Sequence, residues 1–305
     1  MNDFNFYKHI KVNDRFYIVQ EDYGFQVLNI YVLIGDFKVA VIDSGMGTVG
    51  GLRKYIETFI TDKRPMVSYA THGHIDHIGG AILFDAAYLN HGDYNGIEWA
   101  LNVERRFGDL EWFSDNNQEM LNYSRIHYLK NKDTQFKDIN DGDQIDLGGI
   151  ELSVIALPGH SKGSVAYYWA DGKCAFMGDA VGGNSVPDTQ KTTNAVGGSC
   201  KGGKTEFLEA IKALKRFSAL VPPDTLLYGG HCISGQTSPV IPYEVIPDRI
   251  RGLQEIIDNK TEHDIPFTLV QKIQAPENYK MKRKKHQCGI ATITYDSNLI
   301  GSEGI

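Results

Sequence analysis

Between His72 and His77 the chain reads His72-Gly73-His74-Ile75-Asp76-His77, three imidazoles and a carboxylate within six residues. Imidazole nitrogen and carboxylate oxygen are the donors that suit a borderline divalent ion such as zinc. On an extended segment His72 and His74 present their rings to the same side. Asp76 and His77 follow where the chain is expected to bend, toward a second point nearby. One stretch could therefore serve two ions about 3.5–4 Å apart. A polar loop that merely gathers histidines is the plain alternative, and with only ten His in the chain it is a poor account of this spacing.

Three further residues supply what the stretch lacks. His160 follows the apolar run Ile150 to Leu157, Asp179 follows the run Cys174 to Met177, and His231 follows Leu226-Leu227-Tyr228. Each sits just past a short β-like run and beside a glycine that permits close backbone approach. Strand ends carrying His or Asp can converge at one edge of a sheet. Singly, each residue would be a capped turn or a hydrogen-bonded histidine; as a set they read as metal ligands.

The ordered set His72-x-His74-x-Asp76-His77, His160, Asp179 and His231 resembles the metallo-β-lactamase superfamily of metallohydrolases, matching all seven of its ligand positions. The likeness runs from about Tyr17 to His231. It includes Val41-Ile42-Asp43-Ser44-Gly45, similar to the family's strand-end aspartate segment, and Pro158-Gly159-His160-Ser161-x-Gly163-Ser164, similar to its second histidine motif. The resemblance implies an α+β fold, an αββα sandwich of two mixed β-sheets flanked by helices, with the metals at one edge. It implies that His72, His74 and His160 hold one divalent ion, that Asp76, His77 and His231 hold a second, and that Asp179 bridges them. Zinc is the first expectation, and His and Asp donors also suit iron and manganese. Zinc-bound water titrates near pH ~7, so a hydroxide shared by two ions is available to attack an acyl carbonyl. Asp76 would orient that hydroxide and pass a proton to the leaving group. Asp43 would fix a ligand imidazole through its other nitrogen, or serve only as a turn cap.

The implied activity is hydrolysis of an acyl ester or thioester of a small metabolite, in the manner of the hydroxyacylglutathione hydrolases. Asp179 favours this over a β-lactamase-like amide hydrolase, because the true β-lactamases of this fold lack the bridging aspartate. Lactonases keep all seven ligands but place a tyrosine three residues beyond that aspartate, where this chain has Gly182. From another class, an iron-dependent sulfur dioxygenase shares the fold and uses one iron with fewer ligands. A nuclease fits the acidic balance poorly. An electron-transfer flavoprotein would need a glutamate for an early histidine and a flavin domain.

Composition agrees with a soluble enzyme: the chain is 42% hydrophobic, enough for a substantial core. Its 305 residues can form one large domain or two modest ones, and a single metallo-β-lactamase-like domain over 1–305 is the expectation. Net charge −7 and a pI near 5.8 argue against nucleic acid or an acidic membrane as partner. The expected partner is a small-molecule substrate, with a homodimer left open. No cationic start with an apolar core follows Met1, and no apolar run nears the ~20 residues of a membrane span. Cys174, Cys200, Cys232 and Cys288 show no CxxC spacing. A cytoplasmic protein with reduced thiols is the expectation, Cys232 being read as inert and buried.

To position the ligands, Arg15 to Gln20, Gln26 to Ile34 and Lys38 to Ile42 are predicted to form a β-meander. Gly47 to Thr61 is predicted as a helix with Leu52, Ile56 and Ile60 on one face, and Met66 to Ala70 as the strand that delivers His72. Further helices are predicted over Lys204 to Leu220 and Pro242 to Asn259, and a strand over Gly289 to Tyr295. The aromatic-rich segment 91–136 is expected as a helical insertion. It is a wall or lid in which Trp99 and Trp112 touch substrate, a dimer contact, or a unit packed on its own core. Gly182 to Gly203 reads as a loop, with substrate contact and plain flexibility equally open. In a C-terminal extension of about 262–305, the basic run Lys280-Met281-Lys282-Arg283-Lys284-Lys285 could hold an anion but reads better as solvated. His286 reads as structural.

Overall fold

The computed structural model describes residues 6–184, 196–233, 238–266 and 283–300. Strands β1 (Tyr7–Asn13), β2 (Phe16–Asp22), β3 (Gln26–Ile34), β4 (Val39–Ile42), β5 (Met66–Tyr69), β6 (Ala86–Leu89) and β7 (Phe136–Asp138) lie in that order in one sheet. Pairing is antiparallel as far as β4 and parallel from there on. Alternation along β3 explains its place: Leu28, Ile30 and Val32 pack to one side, and Tyr31 and Leu33 to the other. Both faces of the sheet are therefore covered.

A second sheet holds β8 (Gln144–Asp146), β9 (Glu151–Ala156), β10 (Val165–Trp169) and β11 (Cys174–Gly178), continued by Leu226–Gly229 and Val240–Ile241. Between the two sheets lie Phe16, Tyr31, Ile42, Tyr69, Tyr167 and Phe176. Helices Leu52–Ile56, Val103–Phe113 and Gln118–His127 cover the outer face of the first sheet, through Leu52, Ile56, Phe107, Leu110 and Met120. Helices Lys204–Leu220 and Val245–Ile257 cover the second through Phe207, Leu214, Phe217, Leu253 and Ile256. This is the αββα layering of the predicted α+β class. A third, five-stranded sheet joins Gly183–Asn184, Val196–Ser199, Ile265–Pro266, Arg283–Cys288 and Ala291–Asp296. Among the described residues no helix is long and apolar enough to cross a membrane.

Three local expectations differ from what forms. The helix predicted over Gly47 to Thr61 is α-helical only at Leu52–Ile56, although Leu52, Ile56 and Ile60 are all buried. Gly47 has φ +64, and its carbonyl accepts from Leu129 N at 3.0 Å and Arg106 Nη1 at 3.0 Å, so this segment is held as a loop. The last strand begins at Ala291, because Gly289 (φ +56) and Ile290 form a two-residue hairpin turn. Finally, the stretch from Gly182 to Gly203 read as a loop contains the strands Gly183–Asn184 and Val196–Ser199, with residues 185–195 outside the described residues. Arg283, Lys284 and Lys285 of the basic run are strand residues paired with Asp296, Tyr295 and Thr294; Lys280 to Lys282 lie outside the described residues.

Candidate metal centre

β4 and β5 are parallel neighbours with Ile42 beside Tyr69, so Asp43 and Thr71 emerge together at the same sheet edge. Asp43 adopts φ +61 and accepts from Thr71 N at 2.7 Å and Thr71 Oγ1 at 2.9 Å. This anchors the first turn of the histidine stretch. His74 then stands in extended conformation as the cap of a four-residue helix, Ile75–Ile78, which carries Asp76 and His77. The expected bend is that helix.

All seven predicted ligand residues come together. His72 Nε2 and His160 Nε2 each lie 2.9 Å from His74 Nδ1. His231 Nε2 lies 3.1 Å from Asp76 Oδ2 and 3.3 Å from His77 Nε2. Asp179 stands between the two groups, with Oδ2 3.2 Å from His231 Nε2 and 3.7 Å from His160 Nε2, and Oδ1 3.7 Å from His77 Nε2. Three overlapping triads result: His72, His74 and His160; His72, His77 and Asp179; Asp76, His77 and His231. In each, the donor atoms lie within 4.8 Å of one another. Gly230 makes the approach possible: a Cβ there would stand 2.5 Å from Asp179 Oδ1 and 2.7 Å from His77 Cε1.

The donor set fits divalent ions. Asp179 Oδ1 is buried without a hydrogen-bond partner, which is costly unless a cation accounts for it. The outer nitrogens of the first triad are engaged: His72 Nδ1 by Thr71 Oγ1 at 3.2 Å, His74 Nε2 by Lys201 Nζ at 2.7 Å, His160 Nδ1 by Ser199 Oγ at 3.0 Å. Their inner nitrogens are left aimed at one another, an arrangement one cation satisfies at a stroke.

Electrostatics divide the site. Burial, joined by repulsion from neighbouring imidazoles, holds His72 and His74 well below the usual histidine range. Burial also draws His160 down to about 3 against the pull of Asp179. In the other half, burial again opposes charge, but Asp179 and Asp76 outweigh it and push His231 up to about 9. His77 is raised by Asp76, Asp43 and Asp179 in the same way. Asp76 and Asp179 resist their own burial and are lowered chiefly by His77 and His231.

Of the other predicted residues, Asp43 Oδ2 lies 2.8 Å from His77 Nδ1. Trp112 packs between Phe25 and Phe113, with ring centroids 6.2 and 5.0 Å away. Trp99 is 56% exposed, under the Arg105 guanidinium at 4.4 Å. The ring that meets a ligand edge-on is Phe113, 5.7 Å from His231. Cys232 is fully buried, its thiol pushed up to about 11 by burial. His286 bridges Asp264 at 2.6 Å and Glu255 at 2.9 Å.

Sequence reasoning overlooked Asp93. Its Oδ2 accepts from Gly73 N and Ser161 Oγ, at 2.8 and 2.7 Å, and its Oδ1 from Gly163 N at 2.8 Å, tying the His72 and His160 loops together. Ser199 and Lys201 were passed over within a loop read only by its composition. A carboxylate three residues after Asn90, in the first turn of the short helix His91–Gly96, offered no signal of its own.

The fold and this cluster of His and Asp donors define a metallohydrolase scaffold, and comparison with known proteins agrees. The profile described as the metallo-beta-lactamase superfamily matches residues 23–231. The chain belongs to that superfamily and is a metal-dependent hydrolase. It is similar to the acyl-coenzyme A thioesterase MBLAC2 of Homo sapiens, 30% identical over 205 residues, covering 62% of this chain and 71% of the relative. It is also similar to the probable metallo-hydrolase YqgX of Bacillus subtilis (strain 168), 26% identical over 205 residues, covering 67% and 84%. Among solved structures, a metallo-beta-lactamase from Pontibacter korlensis shares the fold with TM-score 0.53 and 15% identity, over 81% of this chain and 99% of that one. A beta-lactamase domain protein from Burkholderia ambifaria does so with TM-score 0.52 and 18% identity, over 84% and 74%.

Proposed function

We propose that this chain is a two-metal hydrolase that cleaves an acyl thioester of a small metabolite. The observation that carries the reading is Asp179, standing between two groups of His and Asp donors with its buried Oδ1 left without a hydrogen-bond partner. His72, His74 and His160 would hold one ion, and Asp76, His77 and His231 the other, with Asp179 common to both. The thioester class is supported by the similarity to the acyl-coenzyme A thioesterase MBLAC2.

A pair of divalent ions, zinc foremost, supplies a water acidified to near neutral pH and a Lewis acid for the carbonyl oxygen. The chain's own residues do the rest. The Asp76 carboxylate aligns the attacking water and relays its proton to the leaving thiolate. Asp43 keeps the Nδ1 hydrogen of His77 occupied and so points Nε2 inward. Phe113 and Trp112 form an apolar wall beside His231 that limits water at the reacting carbon. On this reading the segment 91–136 is an insertion of a single domain, walling the site.

The test is kcat/KM of metal-loaded protein across a matched thioester, aryl ester, lactone, β-lactam and phosphodiester, together with the metal content per chain. Two ions and a preference of tenfold or more for the thioester, ~1.4 kcal/mol of transition-state discrimination, are expected. One iron per chain with no hydrolysis of the panel overturns the reading.

A further inference from the structure

Arg106 belongs to the helix Val103–Phe113 of the aromatic-rich segment, and its side chain is fully buried. Nη1 donates to Leu129 O at 2.7 Å and to Gly47 O at 3.0 Å, and Nη2 donates to Asn131 Oδ1. Among the described residues no carboxylate accepts from this guanidinium, and its Nε has no partner. Taking a cation out of water is costly, and an apolar side chain of similar volume is often the more stable filler. The acceptors that Arg106 reaches explain its presence better than packing does.

Asn131 extends the link, because its Nδ2 donates to Gly79 O at 2.7 Å. Gly79 caps the C-terminal end of the helix Ile75–Ile78, which carries Asp76 and His77. Gly47 ends the turn that starts at Asp43, and the two backbones are zipped together. Ser44 N donates to His77 O at 2.8 Å, and Gly79 N to Gly45 O at 2.9 Å. A Cβ on Gly47 would stand 2.4 Å from Gly79 O, and one on Gly79 would stand 2.2 Å from Met46 O. Both glycines are buried, so their carbonyls need donors from within the protein. Arg106 and Asn131 supply them. From the other side, Glu21 Oε2 accepts from Met46 N at 2.9 Å. The turn is thus held by its amide from β2 and by its carbonyl from the helix Val103–Phe113.

We propose that Arg106, acting through Asn131, is a positioning residue for the half of the metal centre formed by Asp76, His77 and His231. It sets the separation between the Asp43 turn and the short helix that presents Asp76 and His77. The inference rests on the two-ion assignment above and adds that the segment 91–136 braces the centre from behind. The other half has supports of its own: Thr71, Lys201 and Ser199 engage the outer nitrogens of His72, His74 and His160. Loss of the brace should therefore be felt unequally by the two ions.

Two variants separate positioning from packing. Arg106→Met keeps the length of the side chain and removes its donors; Asn131→Asp still accepts from Arg106 but has no hydrogen for Gly79 O. Zinc titration against a chromophoric chelator resolves the two ions, and the step missing in His231→Ala identifies the one held by Asp76, His77 and His231. Both variants should weaken that step about tenfold or more and the other less than about threefold, in line with losses seen when outer partners of metal ligands are removed. In metal-free protein, hydrogen exchange at the Ser44 and Gly79 amides should quicken by a similar factor relative to the helix Lys204–Leu220. A side chain that only fills the core would lower global stability and leave the ratio of the two steps unchanged. Should Arg106→Met not fold, Asn131→Asp decides alone. Wild type that takes up a single ion would count against the two-ion reading alone; faster exchange at the two amides would then support the brace, and unchanged exchange would overturn it. With two ions bound, equal weakening of both steps, or an unaltered second step in both variants, overturns it.

Discussion

Asp43 Oδ2 lies 2.8 Å from His77 Nδ1, and both side chains are almost fully buried. The same carboxylate accepts the Thr71 amide and hydroxyl. One residue thereby fixes both the start of the histidine stretch and the ring tautomer of a histidine six residues further on. Parallel pairing of β4 with β5 is what brings them together.

Asp43→Asn tests this. Asparagine tolerates the positive φ of this position, so the backbone should hold. Its amide group, however, must turn an NH2 toward either Thr71 or His77, where two acceptors are now required. Affinity for the ion held by Asp76, His77 and His231 should fall about 10–100-fold, read by competition with a chromophoric chelator. Unchanged affinity would make Asp43 a turn cap.

Asp179→Asn removes the negative charge between the two triads. Both ions should bind more weakly and kcat should drop on the order of a hundredfold or more, the scale of losing a preorganised electrostatic partner. Metal analysis after dialysis and steady-state kinetics check it. Full activity with two ions retained would sink the bridging role.

Trp112→Ala should change the ranking of substrates severalfold while leaving metal content intact, because Trp112 backs the Phe113 ring that meets His231. Kinetics across the substrate panel decide. A uniform change for every substrate would make the aromatic wall purely structural.

Glu21 gives a pH effect on stability. Burial raises its carboxyl from 4.5 to about 7, against hydrogen bonds from Met46 N, Tyr23 and Tyr7. Between those values the native state holds a proton that the unfolded chain has released, so stability falls as pH rises through this window and is lowest above it. The full effect is roughly 3 kcal/mol at most. Glu21→Gln, which cannot ionise, should gain on wild type as pH goes from 4 to 8, by urea denaturation. A pH-independent difference between the two would refute the buried ionisation.

Removing metal should lower Tm, since ions bound only by the folded chain stabilise it by mass action. Stripping bound ions with a chelator and restoring zinc, followed calorimetrically, should show a reversible shift. No change in Tm with occupancy would argue that these residues do not hold the ions.

The sequence by itself determined the donor set and the elements that carry it. Residues such as His160, Asp179 and His231 are legible because each follows an apolar run beside a glycine, and period alone marks Lys204–Leu220 to its exposed ends. Period misled at Gly47, where three apolar residues kept helical spacing but the backbone was needed for contacts with Leu129 and Arg106. The strand pairing of Arg283, Lys284 and Lys285 was not legible for a related reason: it depends on partners further along the chain.

Only the tertiary structure decided which ring nitrogen each histidine turns inward, and what stands behind it. Lys201 meets His74 across 127 residues, and Asp93 reaches Gly73 and Gly163 from 20 and 70 residues away. No local propensity encodes such pairs. They exist because strands of two sheets end at one edge, and the packing of the Tyr31, Tyr167 and Phe176 layer between those sheets sets where each end falls.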